Sequence, residues 1–226
     1  MLRTQTQSMS TGLLDEPFVT PSSEIAVLDD RALLTLILSR TMSAAASATT
    51  ARQLLCRFAS LGEVVAADPG EIGRVATPDA ITDLKLIREL AIRLARIEAC
   101  HRPAISSWSA MLAYLRAALA HEPREQFRAL YLDRRNILIQ DEFVATGTVD
   151  HAPVYPREVV RRALELSASA MILVHNHPSG DPAPSRADID MTRKIIDAAQ
   201  VFSIQVHDHV VVGREGTASF KSLGLM

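Results

Sequence analysis

The sequence predicts an α/β fold: a layered α/β/α domain around one mixed sheet, preceded by a small all-α domain. Two observations lead there. Residues 24–100 carry only helical apolar periods, whereas from residue 125 onward short apolar runs alternate with helical ones. A third bounds the answer: no apolar run approaches the ~20 residues of a membrane span.

The 226 residues suffice for one large domain or two small ones. An apolar share of 48% beside 22% charged residues is that of an ordinary globular protein. A net charge of −2 supplies no global basic footprint for nucleic acid. Cys56 and Cys100 both fall in helical patterns, so two buried thiols in a reducing cytoplasm are expected rather than a disulfide. Residues 1–23 are polar, rich in Ser and Thr, and lack a signal-peptide core, which predicts a disordered tail.

Asp29 and Asp30 offer N-caps for a first helix bearing Leu33, Leu34, Ile37 and Leu38. The Ala/Ser/Thr stretch at 43–50 reads as a connector into a helix with Leu54, Leu55 and Phe58, ended by Gly62. Pro69 starts a short helical piece. Thr77-Pro78-Asp79 then supplies an N-cap, a proline at N1 and an early acid. From there Ile81, Leu84, Ile87, Ala91 and Leu94 keep a helical period to about residue 99. The helical domain is thus 24–100, and Pro103 opens a second domain, 103–226, after a short linker.

That second domain begins with a helix over 107–120. Strand patterns at 125–133 and 137–145 follow, joined as a hairpin by Arg134-Arg135-Asn136. Pro156 starts a helix with Val159, Val160, Ala163 and Leu164. An apolar run at 170–174 reads as a short buried strand, a helix runs from Ser185 to about residue 200, and strands at 204–212 and 218–221 close the chain.

The stretch VHNHPSGDPAPSRADID, residues 174–190, organises the rest. His175 and His177 stand two apart, so on an extended backbone both imidazoles project to one face, with Asn176 opposite. Gly180, Pro178, Pro182 and Pro184 exclude helix and stiffen the loop. Ser185 then opens a helix with Asp188 three positions in. Two imidazoles at a strand end and a carboxylate returned by a rigid loop make three ligands for a divalent cation, most simply one Zn2+, with a fourth position left for water. Ser-x-x-Asp is also a capping-box variant that would exist without any metal.

HNHPSGDPAPSRAD resembles the metal motif of the JAB/JAMM (MPN) metalloprotease superfamily. The longer PREVVRRALELSASAMILVHNHPSG, with REQFRALYLD at 124–133, Gly147-Thr148 and DHVVVG at 208–213, resembles the RadC family over residues 24–226. The resemblance implies a cytidine deaminase-like sheet between helices, a protein or peptide substrate, and a helical N-terminal unit of helix-hairpin-helix type. The DNA-binding hairpin of such a unit relies on glycines, whose place Ala76, Thr77 and Pro78 take here. A proline there has no amide proton for phosphate. Lys85, Arg88, Arg93 and Arg96 are interrupted by Glu89 and Glu98, so DNA is a partner not favoured.

A hydrolytic zinc site needs a general base, and Glu125, Glu142 and Glu158 compete for it. The resemblance assigns the role to Glu125, at the start of the first strand. It also implies that Ser185, beyond its N-cap role, donates to the oxyanion of a tetrahedral intermediate. His207 and His209 form a second His-x-His, read as structural, and Asp208 and His209 match the family's DH pair without a role derived from the residues. His151 reads as a solvated loop residue. The expectation is a metallopeptidase with His175, His177 and Asp188 on the metal. The rival is a DNA-repair accessory protein whose metal is structural.

Overall fold

The structure, a computed structural model, describes residues 25–100, 103–104, 106–146 and 154–226. The expected tail, Gly147-Thr148 and His151 lie outside these residues. The helical unit begins with α1 (Asp30–Leu38), whose N-cap Asp29 accepts from the amide of Ala32. It continues through α2 (Ala44–Phe58), α3 (Leu61–Ala66) and α4 (Pro69–Ile72) to α5 (Pro78–Cys100). Leu34, Leu38, Ala51, Leu54, Val64, Ile72 and Leu84 form its core.

Three local expectations are corrected. The stretch at 43–50 is not a connector: Ser43 caps α2, and Ser47 and Thr49 fold their hydroxyls back onto carbonyls of the preceding turn, so these polar residues sit in helix. Gly62 does not end α2. Ala59, in a left-handed conformation (φ 61°), does, and Gly62 lies within α3, where a side chain would run into the ring of His121. Cys56 is exposed and Cys100 half-buried; both thiols are free.

The long helix α5 serves two cores. Ala80 and Leu84 pack into the helical unit, while Ile92, Ala95 and Ala99 pack with α6 (Trp108–Leu119) in the second domain. Alanines dominate that second contact because they let two helices approach closely. The larger Ile87, Leu90, Leu94 and Ile97 lie exposed on the opposite side, so the expected core period 81–94 is only partly the buried one.

The second domain holds a five-stranded sheet in the order β2-β1-β3-β4-β5. Its strands are β1 (Gln126–Leu132), β2 (Leu138–Thr146), β3 (Ala170–Asn176), β4 (Gln205–Val212) and β5 (Thr217–Ser219). β1 runs antiparallel to β2 and β3, β3 parallel to β4, and β4 antiparallel to β5, making the sheet mixed. Every residue of the central β3 is buried. Leu130, Leu132, Ile172, Val174, Val210 and Val212 face α6; Phe127, Ala129, Tyr131, Met171 and Leu173 face α7 (Pro156–Glu165) and α8 (Arg186–Gln200). The layers are α/β/α. No helix among the described residues is long and apolar enough to cross a membrane.

Two basic residues of α5, Lys85 and Arg88, have partners inside the protein. The ammonium of Lys85 donates to the carbonyls of Val65 (2.8 Å) and Ala67 at the C-terminal end of α3, a favourable position for a cation. Arg88 binds the carbonyl of Ala118 and the carboxylate of Glu122, tying α5 to α6. Lys85→Met keeps the stem and removes the charge. It should lower stability by about 1.5–3 kcal/mol, the usual range for hydrogen bonds involving a charged group. A lower urea midpoint at unchanged slope would show this, whereas an unmoved midpoint would mean that water serves those carbonyls equally well.

Candidate metal centre

β3 delivers the first donor to the carboxyl end of the sheet, where open α/β sheets hold their ligands. His175 is 1% exposed and faces α8. The chain stays extended for one more residue, since the amide of His177 donates to the carbonyl of Val212 (2.9 Å) at the end of β4. His177 therefore lands beside His175, with their Nε2 atoms 3.0 Å apart. Asn176 points through the other face, as the alternation requires. Its side-chain oxygen accepts from the amide of Gln126 (2.9 Å), and its amide group donates to the carbonyl of Arg124 (3.1 Å). It thereby pins the segment leading into β1.

The loop that returns the third donor turns at Gly180, whose φ of +102° suits only glycine. Gly213 lies against it: a Cβ there would stand 2.1 Å from the carbonyl oxygen of Gly180. Arg214 donates to the carbonyl of Ser179 (2.9 Å) and pairs with Glu63 of α3 (3.1 Å), so the helical unit braces this loop. Ser185 caps α8 in a full capping box: its hydroxyl accepts from the amide of Asp188 (3.2 Å), and Asp188 accepts from the amide of Ser185 (2.7 Å). The box orients the acid. Asp188 Oδ1 lies 3.5 Å from His175 Nε2, and Oδ2 lies 3.6 Å from His177 Nε2.

One atom from each of His175, His177 and Asp188 thus falls within 4.8 Å of the others, a group able to hold a metal ion. Burial pushes the Asp188 carboxyl upward, but the imidazoles of His175 and His177 beside it and the amide of Ser185 outweigh that and hold the group well below the usual carboxylate range. The Asp188 carboxylate beside it raises His177 above the ordinary histidine value, against a lesser effect of burial; Glu125 adds a small push in the same direction. The site therefore presents an ionised acid between two imidazoles.

Glu125 sits one residue before β1. The antiparallel register sets Phe127 opposite His175, so extending it by two residues brings Glu125 level with His177, on the face Phe127 shares. Glu142 lies opposite Ala129, further down the sheet, and is held by Arg162 of α7 (2.6 Å). Glu158 is paired with Arg161 on the surface of α7 (3.0 Å). Ser185 is exposed at the mouth of the site.

Sequence reasoning set His209 aside, and the structure brings it in. Its Nε2 lies 2.8 Å from His175 Nδ1, and its Nδ1 lies 2.6 Å from the hydroxyl of Thr192 on α8. Phe127 stacks parallel to His175, with centroids 6.3 Å apart, and Phe220 lies 4.5 Å from His209. His207 is elsewhere, 2.6 Å from the side chain of Asn136. The two histidines do not meet although they stand two apart on β4, because the β3–β4 register shifts at this point, leaving His207 without a partner residue. Asp208 accepts from the amides of His209 (2.8 Å) and Lys221 (3.0 Å) and from Ser219, so it ties β4 to the chain end.

Residues 105–225 match a family model described as a RadC-like JAB domain. Along nearly its whole length the chain is similar to a UPF0758 protein of Rhodobacter capsulatus: 50% identity over 216 residues, covering 95% of this chain and 100% of that one.

Because Gly213 meets backbone rather than a movable side chain, Gly213→Ala should displace the loop between His177 and Asp188. A stability loss of about 1–3 kcal/mol is the usual cost of such overpacking, read by thermal or urea unfolding. Wild-type stability and wild-type histidine NMR shifts in this variant would contradict the contact.

Proposed function

This chain belongs to the RadC family of JAB-domain proteins, and from that premise we propose that its C-terminal domain is a zinc-dependent hydrolase of peptide or isopeptide amides. The observation that carries the proposal is the spacing of the three donors. Zinc bonds of about 2.0–2.1 Å in a tetrahedron imply ligand–ligand edges of about 3.3 Å. Here the two Nε2 atoms stand 3.0 Å apart, Asp188 offers Oδ1 to His175 at 3.5 Å and Oδ2 to His177 at 3.6 Å, and one atom from each residue falls within 4.8 Å of the others. Two imidazoles and one carboxylate form a donor set of catalytic type, which leaves the fourth position open.

Zinc in that set would supply Lewis acidity and bring the pKa of a water at the open position to about 7. The protein's own groups do the rest. Glu125, level with His177, takes the proton of the attacking water and returns it to the departing amine nitrogen. The hydroxyl of Ser185, whose oxygen already accepts an amide, keeps its proton for the oxyanion that develops on the substrate carbonyl. Asn176 holds the Glu125 segment in reach through its grip on Arg124 and Gln126. Protein rather than DNA is the partner this reading favours, since Lys85 and Arg88 are spent on internal carbonyls and Glu122. Free thiols suit a reducing compartment such as the cytoplasm.

Elemental analysis tests the metal. Purified protein should carry close to one zinc per chain and His177→Ala almost none, because two remaining ligands cannot close the site. Equal zinc in both would sink the assignment.

A peptide library read by mass spectrometry tests the base. Glu125→Gln should keep its zinc and its stability while cleavage slows by about a hundred to ten thousand fold, the usual contribution of a positioned general base. Glu142→Gln should cleave almost as fast as wild type; the reverse pattern would transfer the role to Glu142.

A further inference from the structure

We infer that Thr192 and His209, buried residues outside the ligand set, are positioning residues that fix His175 in the one tautomer able to bind a metal. The inference rests on the reading of His175, His177 and Asp188 as a metal centre, and deepens it.

A count of protons leads to it. The Thr192 hydroxyl oxygen lies 2.6 Å from the carbonyl oxygen of Asp188 and 2.6 Å from His209 Nδ1. Each contact is short enough to require a proton between its two heavy atoms. The hydroxyl has one, and the carbonyl has none. The hydroxyl proton therefore goes to the carbonyl, and the ring of His209 must supply the other from Nδ1. His209 is 1% exposed, and its ring meets Thr192, His175, Phe127 and Phe220, with no hydrogen bond or ion pair to a carboxylate among the described residues. A second proton would leave an unpaired charge in the interior, which is costly. The ring is thus neutral and its Nε2 carries a lone pair.

That lone pair sets the next ring. His175 Nδ1 is 2.8 Å away and must donate, so the proton of His175 sits on Nδ1 and its Nε2 is bare. His177 reaches the same state independently, because its Nδ1 lies 2.8 Å from the carbonyl of Asp181, which can only accept. Two bare Nε2 atoms then face each other at 3.0 Å, with an ionised carboxylate beside both. Thr192 stands one helical turn beyond Asp188, so a single stretch of α8 supplies both a ligand and the hydroxyl that prepares another.

Without the hydroxyl the order reverses. His209 keeps no acceptor for an Nδ1 proton, so its proton moves to Nε2 and is donated to His175. His175 then carries its own proton on Nε2 and gives it to His177, so a metal must first displace that proton.

The experiment uses metal-free full-length protein labelled with 15N-histidine, at a pH high enough to keep the imidazoles neutral. Long-range proton–nitrogen correlation reads each tautomer, and chelator competition reads zinc affinity. Wild type and Thr192→Ser should both show His175 protonated on Nδ1. Thr192→Val, which keeps the volume and loses the hydroxyl, should show it on Nε2 and bind zinc about 10–100-fold more weakly, the usual effect of losing a supporting hydrogen bond. A packing role would give the opposite ranking, with serine worse than valine in zinc affinity, and would overturn the inference. So would an Nδ1 proton on His175 in Thr192→Val. The tautomers are read without metal, so the predicted tautomers in a wild type that binds no zinc would sink the metal reading and leave the proton relay standing.

Discussion

Two parallel strands cannot be joined by a tight turn; they need a crossover, and here the crossover is α8. That constraint builds the site. Leaving β3 at Asn176, the chain must cross to the α8 layer before returning as β4, so the N-terminal end of α8 falls beside the carboxyl end of β3. Asp188 arrives in the first turn of the helix for that reason. The parallel register then sets Leu173 beside His209, and the same helix presents Thr192 to it one turn later. The meeting of His175, Asp188, Thr192 and His209 is the consequence of one βαβ unit.

The two faces of β3 divide the labour. His175 looks toward α8 and chemistry, while Asn176 looks toward α6 and holds the entry to β1. Each buried polar atom that leaves water must find a partner, and here those partners are the groups that need holding. The amide–carbonyl grip of Asn176 and the two-ring contact of His175 are hydrogen bonds that also aim side chains. The aromatic ring of Phe127 flanks His175, and that of Phe220 flanks His209.

Much of this was legible beforehand. His-x-His at a strand end, a loop stiffened by three prolines, and Ser-x-x-Asp at a helix start are local patterns, and the local geometry follows them. Glu125 was reachable only through resemblance to a family; its place opposite His177 depends on which strands pair. His209 and Thr192 were invisible for the same reason. Each is unremarkable in its own element, and only the parallel pairing of β3 with β4 puts them together. The reading of Gly62 and of the 43–50 stretch failed differently. Glycine commonly ends helices and serine or threonine commonly leaves them, but packing against His121 in one place and back-bonding in the other overrode those preferences.

The helix α5 is a single rod of 23 residues, roughly 34 Å long at the standard rise of about 1.5 Å per residue. Its first turns are buried in one core and its last turns in the other. Neither core can lose the rod without exposing apolar surface in the second, and Arg214 adds a tie from α3 to the loop of the site. The rod thus couples the two halves of the chain, despite their separate interiors. A strain entering through the helical half has a stiff mechanical route to the place where the histidines meet.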